Sequence, residues 1–378
     1  MIEWNADQVA LRDGVVAAAS ALRADGPVDD EASRFQENWQ LLSKLGLLGL
    51  PFEETYGGLG QDLVTTMYVL EGLGEACRDG GLSFAATTAI CSVGVPLNRF
   101  GTAAQKQRYL PRICAGAVIG AHAITESVGG SDALKMRTRA RRDGDHFVLD
   151  GAKTFVSNGP VADLLMIYAA TRPGGGALGV TAFLVERDTP GLTVGQPIAK
   201  MGLATSPLSD VYLDQVRVPA SQVVGRVGGG FLVLDYVMKR EVLFSFIVNV
   251  GEMRHRVERC IGYARSREQF GQPIGSYQSV ANRIVDMKIQ TETARKWLYD
   301  AALTVAADRV ATSDIAIAKL IASEANLETA VSAVRIFGGN GYMTEFGLER
   351  DVRNAVAGPI YSGTNEIQYN RIAAMLGL

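Results

Sequence analysis

Apolar positions along the chain fall into three successive patterns. Up to about residue 120, Ala-rich amphipathic stretches such as Asp7–Ala24 and Glu31–Leu45 are broken by Gly and Pro turns, which predicts helices. From 121 to 225 the period shortens. Runs at His146–Asp150, Leu164–Tyr168, Val180–Val185 and Asp210–Leu213 are β-branched or alternating. Turn clusters at 142–145, 173–176 and 188–191 separate them, which predicts an antiparallel β domain. From 226 to 378 the helical period returns. Val280, Ile284, Met287, Thr291, Ala294 and Leu298 recur four and three apart, as one face of a long packed helix does. Ala/Leu/Ile-rich segments at 242–266 and 313–337 extend this to a bundle. The expected architecture is α+β and multidomain: an N-terminal α-helical domain over 1–120, a middle antiparallel β domain over 121–225, and a C-terminal four-helix bundle over 226–378.

Composition narrows the function classes. At 378 residues the chain has room for two or three domains. Its 47% hydrophobic and 20% charged residues are ordinary for a soluble globular protein. The net charge of -3, without a basic stripe, argues against nucleic acid as a partner. The basic cluster at 137–142 reads as a solvated strand and turn. No stretch looks long and apolar enough to span a bilayer, and the first residues lack the pattern of a signal peptide. The expected compartment is the cytoplasm, with no membrane partner. Cys77, Cys91, Cys114 and Cys260 are scattered without CxxC spacing, so they are expected as buried small residues rather than a metal or disulfide framework. The only histidines are His122, His146 and His255, too few for metal hydrolysis or a Ser-His-Asp triad to be the first expectation. No metal site is expected.

Residues 174–179 match GxGxxG. That fingerprint needs a strand before it and a helix N-terminus after it. Val180–Val185 follows and reads as a strand, so the match is expected to be a hairpin loop. A dinucleotide, if bound, must be held some other way.

Six motifs in order carry a resemblance. They are LLGLP at 47–51 with ETYGGLG at 54–60, AITESVGGSD at 123–132, GAKTFVSNG at 151–159, REQFGQPIG at 267–275, FGGNGY at 337–342 and YSGTNEIQ at 361–368. Their order and spacing resemble the acyl-CoA dehydrogenase family from about residue 47 to the end. The resemblance implies FAD as cofactor and the removal of two hydrogens from adjacent carbons of a thioester. It implies cofactor contacts at His122, Ile124, Thr125, Gly130, Ser131, Phe155, Ser157, Arg267, Phe270 and Thr364. Gln278, Arg335, Gly338 and Gly339 match positions that reach FAD from a neighbouring subunit, which implies a homotetramer or at least a dimer. The residue types suit the task. Hydroxyls and loop N–H groups serve a flavin's edge and pyrophosphate, Phe155 offers an aromatic wall, and Arg267 a guanidinium fork. Singly, Thr125 and Ser157 read equally well as strand-end hydroxyls, Arg267 as a surface charge and Gly338-Gly339 as a helix stop.

The family's reaction needs a carboxylate to take the α-proton while the β-hydrogen leaves as hydride to the flavin. That carboxylate usually stands just before the last Gly-Thr. Here Ser362 stands there, whose hydroxyl is a poor base and whose backbone N–H is implied as a donor to the thioester carbonyl. Some family members carry the base ten residues before a Gly in the C-terminal bundle, and counting back from Gly251 reaches Glu241. Glu241 heads an apolar run that lasts until Asn249, which suits a base in a closed pocket. On local sequence alone it is also a helix-start glutamate favoured by the dipole. Glu366 is a poorer candidate, since a Glu or Gln is common there in members that keep the usual base. Val242 replaces the family's frequent Arg after the base, which fits a thioester carrier other than CoA.

Serine at 362 together with glutamate at 241 resembles the branch that oxidises an L-prolyl group on a peptidyl carrier protein towards a pyrrole. The segments at 81–84, 278–288 and 374–378 support that likeness. The implied partners are a peptidyl or acyl carrier protein and an electron acceptor, either an electron-transfer flavoprotein or oxygen. The alternatives are a short- or branched-chain acyl-CoA dehydrogenase using Glu241, a flavin oxidase, and a catalytically inactive flavoprotein scaffold.

Overall fold

A computed structural model describes residues 2–22 and 31–378, with backbone alone for 31–33. The amphipathic segments form α1 (Ala6–Ala19) and α2 (Glu31–Lys44). α1 starts at a capping box in which Asn5 and Gln8 satisfy each other's backbone N–H. The expected stretch from Asp7 runs on to Ala24, which lies outside the described residues. Next come α3 (Leu63–Ala76), α4 (Gly80–Ala89), α5 (Val95–Phe100) and α6 (Ala103–Cys114). A π-turn at Ile90–Gly94 joins α4 to α5. Together Gly80–Phe100 are long and apolar enough to cross a membrane by length and composition, contrary to expectation, yet 94% of the qualifying window is buried in the protein. A core helix enclosed by helices and by the strands Gly120–Ala123 and Leu164–Ala170 reads as apolar all round.

The middle region is a sheet of β1 (Gly120–Ala123), β2 (Arg139–Asp143), β3 (His146–Ser157), β4 (Leu164–Ala170), β5 (Val180–Glu186), β6 (Leu192–Val194), β7 (Leu208–Pro219) and β8 (Val223–Val224). Its order is β6-β7-β3-β2-β4-β5-β8, with β1 beside β4. Most pairings are antiparallel, as expected. Two are not: β1 runs parallel to β4 with His122 opposite Met166, and β2 touches β4 in parallel at Arg139–Ala170. The β2–β3 hairpin intervenes between β1 and β4 in sequence, so the chain returns to lay β4 along β1 in the same direction. The GxGxxG match is the short loop joining the antiparallel strands β4 and β5, as expected of a hairpin. Every residue of β4 is buried. Leu164, Met166 and Tyr168 face the helices, while Leu165, Ile167 and Ala169 face the sheet's own core. A strand covered on both sides reads as a continuous apolar run.

The third region is built on α7 (Gly230–Ser266), α8 (Gln278–Ala306) and α9 (Thr312–Phe337), with a β9–β10 hairpin (Glu268–Gln269, Gln272–Pro273) after α7. Short helices α10 (Gly339–Tyr342), α11 (Leu348–Ala355) and α12 (Asn365–Met375) complete it. Met287, Thr291, Ala294 and Leu298 are buried along α8 as their spacing predicts. All four cysteines are buried and free.

Candidate active site

Glu241 is the twelfth residue of α7, so the helix-start alternative falls: the helix begins well before the apolar run, at Gly230. Its side chain points into the seam between α7, β1 and the turn before α12, and the residue is 7% exposed. Ser362 Oγ donates to Glu241 Oε1 at 2.6 Å. His122 Nε2 lies 3.2 Å from Oε2. That second contact is close but is not a hydrogen bond, so Glu241 Oε2 has none among the described residues, and neither does the buried His122 Nδ1. The hydroxyl of Tyr168, two positions from the partner of His122 on β4, is likewise buried and without a partner among them. Burial first, and then the Glu241 carboxylate, push the Tyr168 hydroxyl and the Cys91 thiol above their ordinary values. Cys91 belongs to the π-turn, and π-turns often re-aim side chains at functional sites. A Cβ on Gly120 would come within 2.9 Å of Val93, so β1 lies directly against that turn.

Ser362 holds φ 54, a region costly for any residue but glycine. Its N–H meets no acceptor among the described residues, leaving a donor for a carbonyl oxygen. The following Thr364 caps α12, accepting from Ile367 N at 3.3 Å, and Asn365 anchors the helix by accepting from Lys319 Nζ at 2.6 Å. Beside Ser362, the Tyr361 ring lies between Phe84 and Phe246, with centroids at 4.8 and 5.1 Å. Behind it is a cavity of ≈ 10 Å³, room for about one water, lined by Ser245, Asn249 and Glu252 among others. Glu366 projects outward from α12 and is exposed, away from this seam.

The loop carrying Ile124, Thr125, Gly130 and Ser131 is tied to β3, since Thr125 O accepts from Thr154 N at 2.9 Å. Phe155 sits at a register break in the β3–β7 pairing, has φ 54 and is 63% exposed. Ser157 ends the same strand. Two further residues of these motifs, outside the expected contacts, fix this geometry. Lys153 Nζ meets Glu126 Oε1 at 2.8 Å with both side chains almost fully buried. Glu126 also accepts from the backbone N–H groups of Arg137 and Thr138 at 2.5 and 2.9 Å. Burial alone would raise the Glu126 carboxyl, but these partners hold it below its ordinary value. A charged pair inside two otherwise polar-apolar loop motifs was the available signal.

The remaining expected residues form a separate group. Arg267 follows α7, Phe270 caps the β9–β10 turn with φ 51 and 95% exposure, Gln278 opens α8, and Arg335 lies near the end of α9. Gly338 has φ 60, and a Cβ on it or on Gly339 would meet open space, as a close backbone approach by a ligand requires. Tyr263 stacks on Phe337 at 3.9 Å and binds the end of α7 to this corner. The 25 residues of α7 after Glu241 put about 38 Å between it and Ser266. The site residues therefore make two groups, one around Glu241 in the first half of α7 and one at its C-terminal end.

The donor set suits a flavin: exposed aromatics held in strained conformations, glycines with open space above them, and hydroxyl-bearing loops. Comparison with known proteins agrees. The chain matches the N-terminal, middle and C-terminal domain models of acyl-CoA dehydrogenase over residues 5–117, 121–216 and 228–377. The chain belongs to the acyl-CoA dehydrogenase family. As a member it is an FAD-dependent oxidoreductase that dehydrogenates an acyl thioester. It is 36% identical over 380 aligned positions to an L-prolyl-[peptidyl-carrier protein] dehydrogenase of Pseudomonas fluorescens, covering all of both chains. Among solved structures it resembles the prolyl acyl carrier protein oxidase AnaB, with TM-score 0.95 and 39% identity over the whole of both. It also resembles PigA with FAD and proline, with TM-score 0.94 and 34% identity over 100% of this chain and 99% of that one.

Proposed function

We propose that this dehydrogenase oxidises an L-prolyl group held as a thioester on a peptidyl carrier protein, with Glu241 as the base. The observation that carries this is the hydrogen bond from Ser362 to Glu241. Where most of the family places a carboxylate, this chain places a hydroxyl that holds a carboxylate from the opposite wall. The base function is therefore moved rather than lost, in a chain that has relatives named for prolyl carrier proteins among both the curated proteins and the solved structures.

In this reading Glu241 takes the α-proton. The Ser362 N–H donates to the thioester carbonyl, where negative charge develops as the proton leaves. Ser362 Oγ keeps the carboxylate aimed, and the enclosing apolar walls exclude water. FAD, when bound, accepts the hydride from the β-carbon. His122, Ile124, Thr125, Gly130, Ser131, Phe155, Ser157 and Thr364 hold the cofactor from one chain, and Gln278, Arg335, Gly338 and Gly339 serve the cofactor of a neighbouring copy. Arg267 and Phe270, expected in the first set, lie with the second group and in this reading serve the neighbouring copy too. The roughly 38 Å of α7 between Glu241 and Ser266 favours that division, which needs at least a dimer and fits a homotetramer. The half-exposed Val285 and Ile289 on α8 offer an apolar face for it. Residues 1–120, 121–225 and 226–378 are taken as the three domains. The stack of Phe84, Tyr361 and Phe246 beside Ser362 favours a short or cyclic acyl group over a long chain. Electrons pass on to an electron-transfer flavoprotein or to oxygen. AnaB is named an oxidase and the Pseudomonas protein a dehydrogenase, so rapid peroxide formation in air distinguishes the two acceptors.

The test is anaerobic mixing of the yellow protein with L-prolyl carrier protein, prolyl-CoA and butyryl-CoA, following flavin absorbance and carrier mass. Prolyl carrier protein is expected to bleach the flavin and lose hydrogen. Bleaching by butyryl-CoA alone would favour an ordinary short-chain dehydrogenase, and wild-type rates in Glu241→Ala would remove the base assignment.

A further inference from the structure

We propose that His122 is the positioning residue for Glu241 and the group to which Glu241 passes the α-proton. The inference rests on the reading of Glu241 as the base. It concerns what happens to the proton after abstraction.

The placement begins in β1. Ala121 and Ala123 enter the sheet's own core, so the alternation of the strand turns His122 the other way, towards α7. There its Nε2 meets Glu241 Oε2 at 3.2 Å, with 12% and 9% of the two side chains exposed. Ser362 occupies the other carboxylate oxygen. Glu241 is thus held on one oxygen by a hydroxyl, while the other oxygen faces a ring nitrogen at ion-pair distance, and an imidazole nitrogen is a base where a hydroxyl is not. The two other histidines are elsewhere: His146 pairs with Asp145 on an exposed hairpin, and His255 lies further along α7.

A histidine that merely fills a core has both nitrogens satisfied. Among the described residues Nδ1 of His122 is buried and has no partner, so no carboxylate or carbonyl there fixes the ring as in a catalytic triad. The ring's one ionic neighbour among them is Glu241, which makes it an acceptor dedicated to that carboxylate.

The substrate Cα–H bond breaks and its proton bonds to Glu241 Oε2. The electron pair passes through the thioester enolate, forms the Cα=Cβ bond and expels hydride from the β-carbon to FAD. The O–H bond on Glu241 then breaks as an N–H bond forms at His122 Nε2, with the ring starting as its Nδ1–H tautomer. The products are an imidazolium and a restored carboxylate, a charge-paired contact at the observed distance. Glu241 is an ionised base again before the product leaves. A proton that reaches the ring can exchange with solvent, whereas one confined to Glu241 returns to carbon.

The test separates abstraction from relay. L-Prolyl carrier protein deuterated at the α-carbon is incubated with FAD-loaded enzyme reduced by dithionite, which can abstract the proton but not accept hydride. Loss of deuterium to water is compared with anaerobic flavin reduction by the oxidised enzyme. His122→Gln and His122→Leu are expected to slow deuterium loss by at least about tenfold while flavin reduction falls only a few-fold. A wild-type ratio of the two rates in both variants overturns the proposal. If wild-type enzyme neither bleaches nor exchanges with the prolyl probe, the substrate reading fails instead, and α-deuterated butyryl-CoA carries the same comparison. A second measurement needs neither substrate nor a histidine variant. With ¹⁵N-histidine labelling, Glu241→Gln is expected to move the His122 Nε2 resonance and leave those of His146 and His255 in place. An unmoved His122 signal would equally overturn the proposal.

Discussion

The Ser362 hydroxyl and the Glu241 carboxylate are 121 positions apart in the chain and 2.6 Å apart in space. A hydrogen bond to a buried charge is worth about 1.5–3 kcal/mol. Ser362→Ala is therefore expected to lower the rate of anaerobic flavin reduction by about tenfold or more, at unchanged FAD content. A rate within twofold of wild type would mean that the hydroxyl does not aim the base. Both members of this pair were legible in the sequence, one as a departure from a motif and the other by counting from Gly251. The count works for a physical reason: a Cβ at Gly251 would lie 2.1 Å from Glu71 O, so this glycine marks the crossing of α7 over α3. What stayed hidden was His122 beside them. Its motif position pointed to the cofactor, and only the pleat of β1 sends its ring to α7.

At the scale of elements, the sheet and the expected cofactor loop are joined by one buried ion pair. Lys153 on β3 and Glu126 in the loop have side chains 0% and 5% exposed. Removing one partner of such a pair leaves the other charge buried and costs about 3–5 kcal/mol. Lys153→Ala is thus expected to lower Tm and release FAD from the purified protein. Lys153→Met with Glu126→Gln should restore much of the stability but not the loop's fit to the cofactor. Full FAD retention in Lys153→Ala would show that the loop is held by its backbone contacts alone. The strands themselves were readable from alternation and turn clusters. The parallel placement of β1 on β4 was not, because a four-residue strand carries too little pattern to declare its partner. The membrane-length apolarity of Gly80–Phe100 is masked in the sequence by Thr87, Thr88, Ser92 and Pro96, which break its apolar run into short segments.

At the scale of the whole molecule, the N-terminal helices and the C-terminal bundle share one core, with α3 set against α7 and α8. Gly74 and Gly251 bring the backbones of α3 and α7 into near contact. Buried at that crossing, Glu71 accepts from Arg254 on α7 and from Arg295 and Tyr299 on α8. Burial would raise its carboxyl, but Arg295, Tyr299 and Arg254 outweigh burial and hold it below the ordinary value of 4.5. A lowered carboxylate contributes stability that is fully present above its unfolded value and is lost as pH falls through the folded one. His255 on α7 acts in a higher window. Burial, with Arg78 and Arg259 nearby, lowers it from 6.5 to about 4, so it stays neutral in the fold where the unfolded chain binds a proton. Stability from His255 is therefore lost as pH falls from 6.5 towards 4, a decline that starts well above the 4.5 at which the Glu71 contribution begins to fail. Denaturant unfolding of the FAD-loaded protein should show stability declining in two stages as the solution is acidified. His255→Gln is expected to flatten the first stage alone. Glu71→Gln should lower stability at pH 7 by about 3 kcal/mol, since it leaves two guanidiniums facing a neutral amide, and flatten the second. A stability curve in His255→Gln that still falls between pH 6.5 and 4 would assign that decline to other groups. Equal stability of Glu71→Gln and wild type at pH 7 would mean that the close packing of α3 on α7, rather than the charge network, joins the two helical regions.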